Sequence, residues 1–513
     1  MFTQAQLNQL DERKIKASQV IDQIETFKKG ILPVKLAKPA LQGDGVEVFE
    51  ENEIENYVCS FQSEKKHFSL LKFVPASGAA SRMFKLLFDA INEFNSNPDN
   101  SDKVLRKMPE IASFFAMLSE YPFYYDLIDS CKKSNQSLDS LIKERNFVEI
   151  LKLLLFSEGL AYGQLPKGLL KFHRYNNETC TAFEEHFREA SMYLGDSEDR
   201  INLHFTVSPE HLSLFEELSN VLINKYLKKS NTKFKVTFSI QKPSTDTLAV
   251  DLSNNPFLDN SGRFLFRPGG HGALLDNMQD LDEQIIFVGN IDNVAPIRTQ
   301  PLRIRYKKLL AGVLIERVKI IHSLLNRLEK SYTDELKIDI IEFINKYVSI
   351  TSAQNLTEQS DEEFNSIAEA ILNRPIRICG MVKNVGEPGG GPFWVAAKNN
   401  NISKQIVESS QVDILDLNQA EIFKKASHFN PVDLVCFTRN YRGQKFNLKD
   451  FRDPDMAFIA EKSQGSSTLK ALELPGLWNG SMAGWMTFFV DVPIATFSPV
   501  KTIFDLVREE HLS

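Results

Sequence analysis

Apolar residues at Leu7, Leu10, Ile15, Ile21, Ile24 and Phe27 recur at roughly helical spacing. They predict one amphipathic helix over residues 3–29, ended by Gly30 and Pro33. Leu70-Leu71-Lys72-Phe73-Val74-Pro75 is a short, nearly continuous apolar run, which predicts a buried strand. Small residues follow from Ala76 to Ser81, and a helix is expected from about Met83 to Phe94. Residues 100–165 predict helix almost throughout, broken near Pro109 and Pro122. A further helix is expected from Thr181 to Tyr193. Asn202 to Ser208 and Phe234 to Gln241 alternate like half-buried strands. The run Ile285 to Gly289 is an apolar strand that stops abruptly at Asn290-Ile291-Asp292-Asn293. Residues 301–373 return to a helical stripe that includes Leu309, Leu310, Val313, Leu314 and Val318. Ile376 to Val382 is again a strand, and a last helix is expected from about Thr502.

Strands alternating with helices predict an α/β fold with a mixed, mainly parallel sheet flanked by helices. Residues 1–60 form an N-terminal helix and extended arm in this scheme, and residues 61–300 a core carrying a helical insertion at 84–165. Residues 301–375 are a second helical insertion, and 376–513 a C-terminal α/β portion. The stripe in 301–375 suits a cap or the interface of a homodimer.

Composition narrows the function classes. The 513 residues are 42% hydrophobic and 25% charged, ordinary values for a soluble globular chain. A net charge of −7 argues against broad binding to nucleic acid or anionic membrane. The five cysteines are scattered without a CxxC pair, which predicts reduced thiols in a cytoplasmic protein and no zinc site. The N-terminus lacks the charged-then-apolar pattern of a signal peptide, and no apolar run reaches membrane-spanning length.

Two glycine-dense loops carry the candidate chemistry. One is Arg267-Pro268-Gly269-Gly270-His271-Gly272; the other is Gly386-Glu387-Pro388-Gly389-Gly390-Gly391. Such loops let a backbone approach a ligand or another chain segment closely. The strand–small-residue–helix passage at 76–82 presents backbone N–H groups in the geometry that suits phosphate, with Arg82 adding a fixed charge.

In order, the segments ASGAASRM, LPKGL, SIQKP, FRPGGHG, NIDN, VGEPGGGPF and FSPVK resemble the sugar nucleotidyltransferases, especially the UTP-dependent sugar-1-phosphate pyrophosphorylases. Over nearly the whole chain, the sequence also resembles an uncharacterised bacterial family, a domain of unknown function. The resemblance implies a Rossmann-like fold of the GT-A type with helical insertions. It implies that Ala76, Ser77, Gly78 and Ser81 lie under a nucleotide and that Arg82 meets the departing pyrophosphate. Lys167 would neutralise the reacting phosphates, and Lys501 matches the phosphate-contacting lysine of the F-x-P-x-K segment. Gln241 would read the base, while Pro268, Gly270, His271 and Gly272 would border base and ribose. Asp292 would hold Mg²⁺; Asn290, Asn384, Glu387, Gly389 and Gly390 would contact the sugar side. The loop departs from the family's usual G-G-x-G-T-R pattern at Ser77 and Ala80.

The implied reaction joins a nucleoside triphosphate, with UTP favoured, to a sugar-1-phosphate. Its nucleophile is already an anion, so the chemical demand is to bring two polyanions together by charge neutralisation and positioning. A non-catalytic nucleotide-sugar-binding protein, or a glycosyltransferase on the same fold, would use the same residues differently.

Overall fold

The computed structural model describes residues 2–512 apart from 79, 99, 177, 196–199, 358, 387–388, 397–400 and 465–466. Its contacts divide the chain into two compact units interleaved in sequence. The first comprises Met1–Phe73, Ser239–Val288 and Tyr306–Ile494; the second comprises Val74–Phe238, Gly289–Arg305 and Ala495–Ser513. Glu387 falls outside the described residues.

The first unit is built on a mixed sheet. Its strands run, in spatial order, Leu41–Gln42, Gly45–Glu47, Met486–Asp491, Ile376–Lys383, Asp433–Phe437, Ile285–Gly289 and Leu70–Pro75. The first four are parallel to their neighbours, as are Ile285–Gly289 and Leu70–Pro75, whereas Asp433–Phe437 is antiparallel to Ile376–Lys383. The predicted strand at 376 is buried at every residue from Ile376 to Val382, as a parallel strand covered on both faces must be. Leu71, Phe73, Ile286, Val288, Cys379, Met381 and Phe489 share one core cluster.

The predicted helix over 3–29 is two helices, Gln4–Arg13 and Ala17–Lys29. Lys14 takes a left-handed conformation (φ 57°) and stops the first. The apolar stripe survives the break because Leu10, Ile15, Val20 and Phe27 all pack against Leu248, Val250, Phe264 and Phe266. Helical spacing records which face is buried, and a single-residue reversal leaves that face almost unchanged. The predicted helical stretch after residue 300 comprises Gln300–Lys330, Asp334–Tyr347, Ile350–Thr357 and Asp361–Leu372.

The second unit holds the helices Lys85–Ser96, Ser101–Lys107, Pro109–Ala116, Tyr124–Lys133, Leu138–Lys143 and Phe147–Leu155, which make up the predicted insertion. Arg200–Thr206 and Lys233–Ser239 are neighbouring strands, and the Ala76 amide donates to the Thr206 carbonyl at 2.8 Å. Helix Ala182–Tyr193, capped by the Thr181 hydroxyl, packs Phe183 and Phe187 against Phe205. The expected last helix is instead a pair of short 3₁₀ turns, Ile503–Val507 and Glu509–His511. Among the described residues no helix is long and apolar enough to cross a membrane.

Candidate functional site

Two strands deliver the site in the second unit. Leu70–Pro75 and Ile285–Gly289 are parallel neighbours, so the loops that follow them leave from the same edge. That carboxyl edge is where open α/β sheets bind ligands. One loop carries Ala76, Ser77 and Gly78; the other carries Asn290, Ile291 and Asp292. Ala76 is buried, whereas Ser77, Gly78, Ser81 and Arg82 are exposed.

Lys167, Asp292 and Lys501 come from positions 125 and 209 residues apart and meet here. Lys167 Nζ donates to Asp292 Oδ2 at 2.8 Å and to the Val500 carbonyl at 2.7 Å. Lys501 Nζ reaches the same Oδ2 at 3.3 Å. The Lys167 amide also donates to the Gly78 carbonyl at 3.4 Å, which ties the turn containing Lys167 to the loop after Pro75. The Lys167 and Asp292 side chains are 14% and 11% exposed, whereas Lys501 is 53% exposed and free to swing toward a ligand.

Backbone hydrogen bonds fix these positions. Val500 N–H donates to the Asp292 carbonyl at 3.0 Å, and Asn293 bridges to Pro499. Asn293 Oδ1 accepts from the Ser498 amide and from Arg303, which is itself paired with Glu189 at 2.9 Å. Asp505 Oδ2 accepts from the amides of Lys501 and Thr502 at 2.8 and 2.6 Å. The chain end is pinned by a buried relay in which His173 bonds Glu185 at 3.0 Å and His511 at 2.9 Å. Asp505 and His511 are supporting residues that the motif pattern passes over; the only trace in the sequence is a carboxylate four residues after Lys501.

Electrostatics follow from this packing. Burial pushes the Asp292 carboxyl upward, but Lys501 and Lys167 outweigh it and hold the pKa below the ordinary carboxylate range. Burial is also the main reason that the Lys167 pKa is lowered; Asp292 opposes the fall, while Lys501 and Arg82 add to it. Arg82, Lys167 and Lys501 bring three positive charges; among the described residues Asp292 pairs with the two lysine side chains, and Asp505 accepts from the Lys501 amide. The described side chains here therefore carry more positive than negative charge.

A divalent cation makes modest demands on such a site. Mg²⁺ takes one or two carboxylates and fills its shell with phosphate oxygens and water. Asp292 Oδ2 is occupied by lysine, and Oδ1 accepts no hydrogen bond from the described residues. The residues fit as a single-point anchor. Among the described residues no group of three His, Cys, Asp or Glu forms a self-sufficient metal cage.

The glycines fall into two kinds. A Cβ on Gly78 or Gly289 would meet no described atom within 4 Å, and neither residue has a positive φ. Neither packing nor conformation requires glycine there, and Gly78 is joined to the cluster through the Lys167 amide. The loop at 269–272 is different. A Cβ on Gly269 would lie 2.6 Å from the Thr245 carbonyl oxygen, and one on Gly272 would collide with the Pro475 carbonyl. Gly270 has φ of 74° and faces Glu473. Close approach of the Thr245 carbonyl at Gly269 and of the chain's own 473–475 segment at all three accounts for them.

The remaining predicted residues lie in the first unit, where each has its own partners. The His271 ring stacks on Trp478 with centroids 4.2 Å apart, and its Nδ1 accepts from the Leu477 amide at 3.0 Å. Burial lowers its pKa, so the ring is neutral near pH 7. The strand before Gln241 ends at Ser239, and Gln241 Nε2 points to Asp246 Oδ1 at 3.5 Å. Asn384 Oδ1 accepts from the Gly386 amide and shapes its own turn. Gly390 packs on Ile406, Gly389 faces Phe429, and Pro268 is exposed.

The glycines differ in a measurable way. Gly272→Ala is expected to lower stability by about 1–3 kcal/mol through overpacking. Gly78→Ala is expected to stay within about 0.5 kcal/mol. Urea melts of the two variants check both values.

Comparisons with known proteins complete the description. A family model described as Domain of unknown function (DUF4301) matches residues 3–512. No curated protein matches. Among solved structures, the chain is similar to a uridine diphosphate N-acetylglucosamine pyrophosphorylase from Trypanosoma brucei in complex with inhibitor. That match has 12% identity, covers 99% of this chain and 79% of that one, and has a TM-score of 0.48. It is also similar to a mutant UDP-glucose pyrophosphorylase from Leishmania major in complex with UDP-glucose. There the identity is 12%, the coverage 98% and 77%, and the TM-score 0.42.

Proposed function

The chain belongs to the DUF4301 family, and we propose that it is a nucleotidyltransferase that joins a nucleoside triphosphate to a sugar-1-phosphate and releases pyrophosphate. The observation that carries this reading is the convergence of Lys167 and Lys501 on Asp292 Oδ2, at 2.8 and 3.3 Å, beside the open Gly78. A cationic cluster at the carboxyl edge of parallel strands, beside a small-residue loop left open at Gly78, suits a polyphosphate. The order of the sequence motifs supports the same reaction and favours UTP.

In the proposed step an oxygen of the sugar-1-phosphate attacks the α-phosphorus of the nucleotide. The new P–O bond forms as the bond to pyrophosphate breaks, and the leaving group departs as an anion. No proton must be removed from the nucleophile. Lys167 and Lys501 turn their N–H groups from Asp292 to phosphate oxygens and offset the charge that two anions bring together. Arg82 meets the departing pyrophosphate. Mg²⁺ bound through Asp292 Oδ1 would supply further charge neutralisation on the phosphate oxygens. On the same reading Ala76, Ser77, Gly78 and Ser81 lie along the nucleotide. The base side falls to Gln241, Pro268, Gly270, His271 and Gly272, and the sugar side to Asn290, Asn384, Glu387, Gly389 and Gly390.

The test is pyrophosphate release from each nucleoside triphosphate against a panel of sugar-1-phosphates with Mg²⁺ present. Release is expected, strongest with UTP, and Gly78→Ala should weaken nucleotide binding while leaving the urea midpoint unchanged. Nucleotide-induced thermal stabilisation without release across the whole panel would replace the transferase with a binding protein. Transfer from a nucleotide sugar without pyrophosphate would replace it with a glycosyltransferase.

A further inference from the structure

In the first unit the carboxyl ends of a further parallel set of strands adjoin a cavity. Gly45–Glu47, Met486–Asp491 and Ile376–Lys383 are adjacent and mutually parallel. Just beyond their ends a cavity of about 300 Å³ is lined by Phe49, Ile54, Leu309, Val492, Lys383 and Asp491, among others. This is the position at which open α/β sheets place ligands, and the volume is at the lower end for small-molecule pockets, which begin near about 300 Å³.

The lining combines apolar side chains with the Tyr306 phenol and two opposite charges. Lys383 is the last residue of its strand and is exposed; among the described residues it has no carboxylate within ion-pair distance. Asp491 is the last residue of the neighbouring strand, and its side chain is 23% exposed. Its carboxylate is held from behind. His428, fully enclosed, places Nε2 3.0 Å from Asp491 Oδ1, and the Ser427 hydroxyl lies 2.8 Å from His428 Nδ1. With Nε2–H donating to the carboxylate, Nδ1 accepts from Ser427 O–H, and every polar atom of the ring is used. Asp491 Oδ2 accepts from no described group. The rim exposes Val48 and Ile494 to solvent, 51% and 40% respectively.

We propose that this cavity binds a small zwitterion with an apolar body, an α-amino acid with an aliphatic or aromatic side chain. Its carboxylate pairs with Lys383, its ammonium donates to Asp491 Oδ2, and its side chain packs among Phe49, Ile54, Leu309 and Val492. A phosphate monoester is disfavoured because its second negative charge would face Asp491 with only one lysine to offset it. A purely apolar ligand would leave Lys383 and the second carboxylate oxygen of Asp491, Oδ2, unmatched.

The experiment titrates full-length protein with L-leucine and L-phenylalanine, read by saturation-transfer NMR and calorimetry. The controls are 4-methylpentanoate, which lacks the ammonium of leucine, and 3-methylbutylamine, which lacks the carboxylate. Binding of at least one amino acid is expected, with each control weaker by tenfold or more. Lys383→Met should weaken amino-acid binding at least tenfold, and Ile494→Trp, which fills the rim, should abolish it. Both changes are at exposed positions, so the thermal midpoint should move little. The proposal is overturned if neither amino acid binds at millimolar concentration, if either control binds as tightly as leucine, or if both variants bind as the parent does. It stands apart from nucleotidyl transfer, so silence in the pyrophosphate assay leaves these outcomes readable.

Discussion

Lys167→Met is expected to reduce pyrophosphate release by about 10³-fold, the cost of removing one preorganised donor from a site where charge develops. Methionine keeps most of the stem that fills the space beside Val500 and removes only the charge. The loss should fall mainly on kcat, because Lys167 is held by Asp292 and Val500 before any ligand arrives. Circular dichroism and the urea midpoint should show a folded protein. Retention of the full rate by the folded variant would remove Lys167 from the site. A pH profile adds a second readout. Burial holds the Lys167 pKa below the ordinary lysine value of about 10.4. On the proposed reading the protonated form pairs with phosphate, so activity should fall as pH rises through that lowered value, ahead of an ordinary lysine. Lys167→Arg, charged throughout the accessible range, should move that alkaline limb outward.

The strands at 70, 202, 234, 285 and 376 were legible because buried strands leave apolar or alternating runs. The loops that follow them were legible because small and polar residues sit at the abrupt ends of such runs. Lys167, Asp292 and Lys501 were legible singly, as charges at turns. Their mutual contact was not, since it depends on Val500 pairing with Asp292 and on Asp505 shaping the last turn. The glycine loop at 269–272 carried a strong sequence signal with two physical explanations, ligand approach and chain approach. The collision that a Cβ on Gly272 would make with Pro475 comes from a segment about 200 residues away in sequence, which no local pattern encodes. Gly78 had the weaker signal, a single glycine among alanines and serines, yet its surroundings leave the space open. Local pattern identifies where the backbone is unusual; the cause lies in long-range contacts.

Asp292→Asn separates charge from packing at the centre of the site. The amide matches the carboxylate in size, so the Val500 contact to the residue 292 carbonyl is retained. What disappears is the carboxylate that pairs with both Lys167 and Lys501 among the described residues. Breaking a mostly buried ion pair from one side costs about 3–5 kcal/mol; the exposed Lys501 can turn to water, which places the expected loss near the lower figure, about 3 kcal/mol. The pH dependence has a defined sign. The folded-state pKa of Asp292 is depressed, so its contribution is present above the unfolded value of about 3.9 and is lost as pH falls through the lower folded value. The stability gap between parent and variant should therefore be full near neutrality and close in acid. Pyrophosphate, added without metal, should raise the melting temperature of Asp292→Asn more than that of the parent, because it returns negative charge to uncompensated lysines. Turnover should nevertheless fall by 10²-fold or more, since bound product then competes with the nucleotide and the metal anchor is gone. Equal stabilisation of parent and variant by pyrophosphate would mean that the two lysines do not receive phosphate, and the transferase reading would lose its central observation.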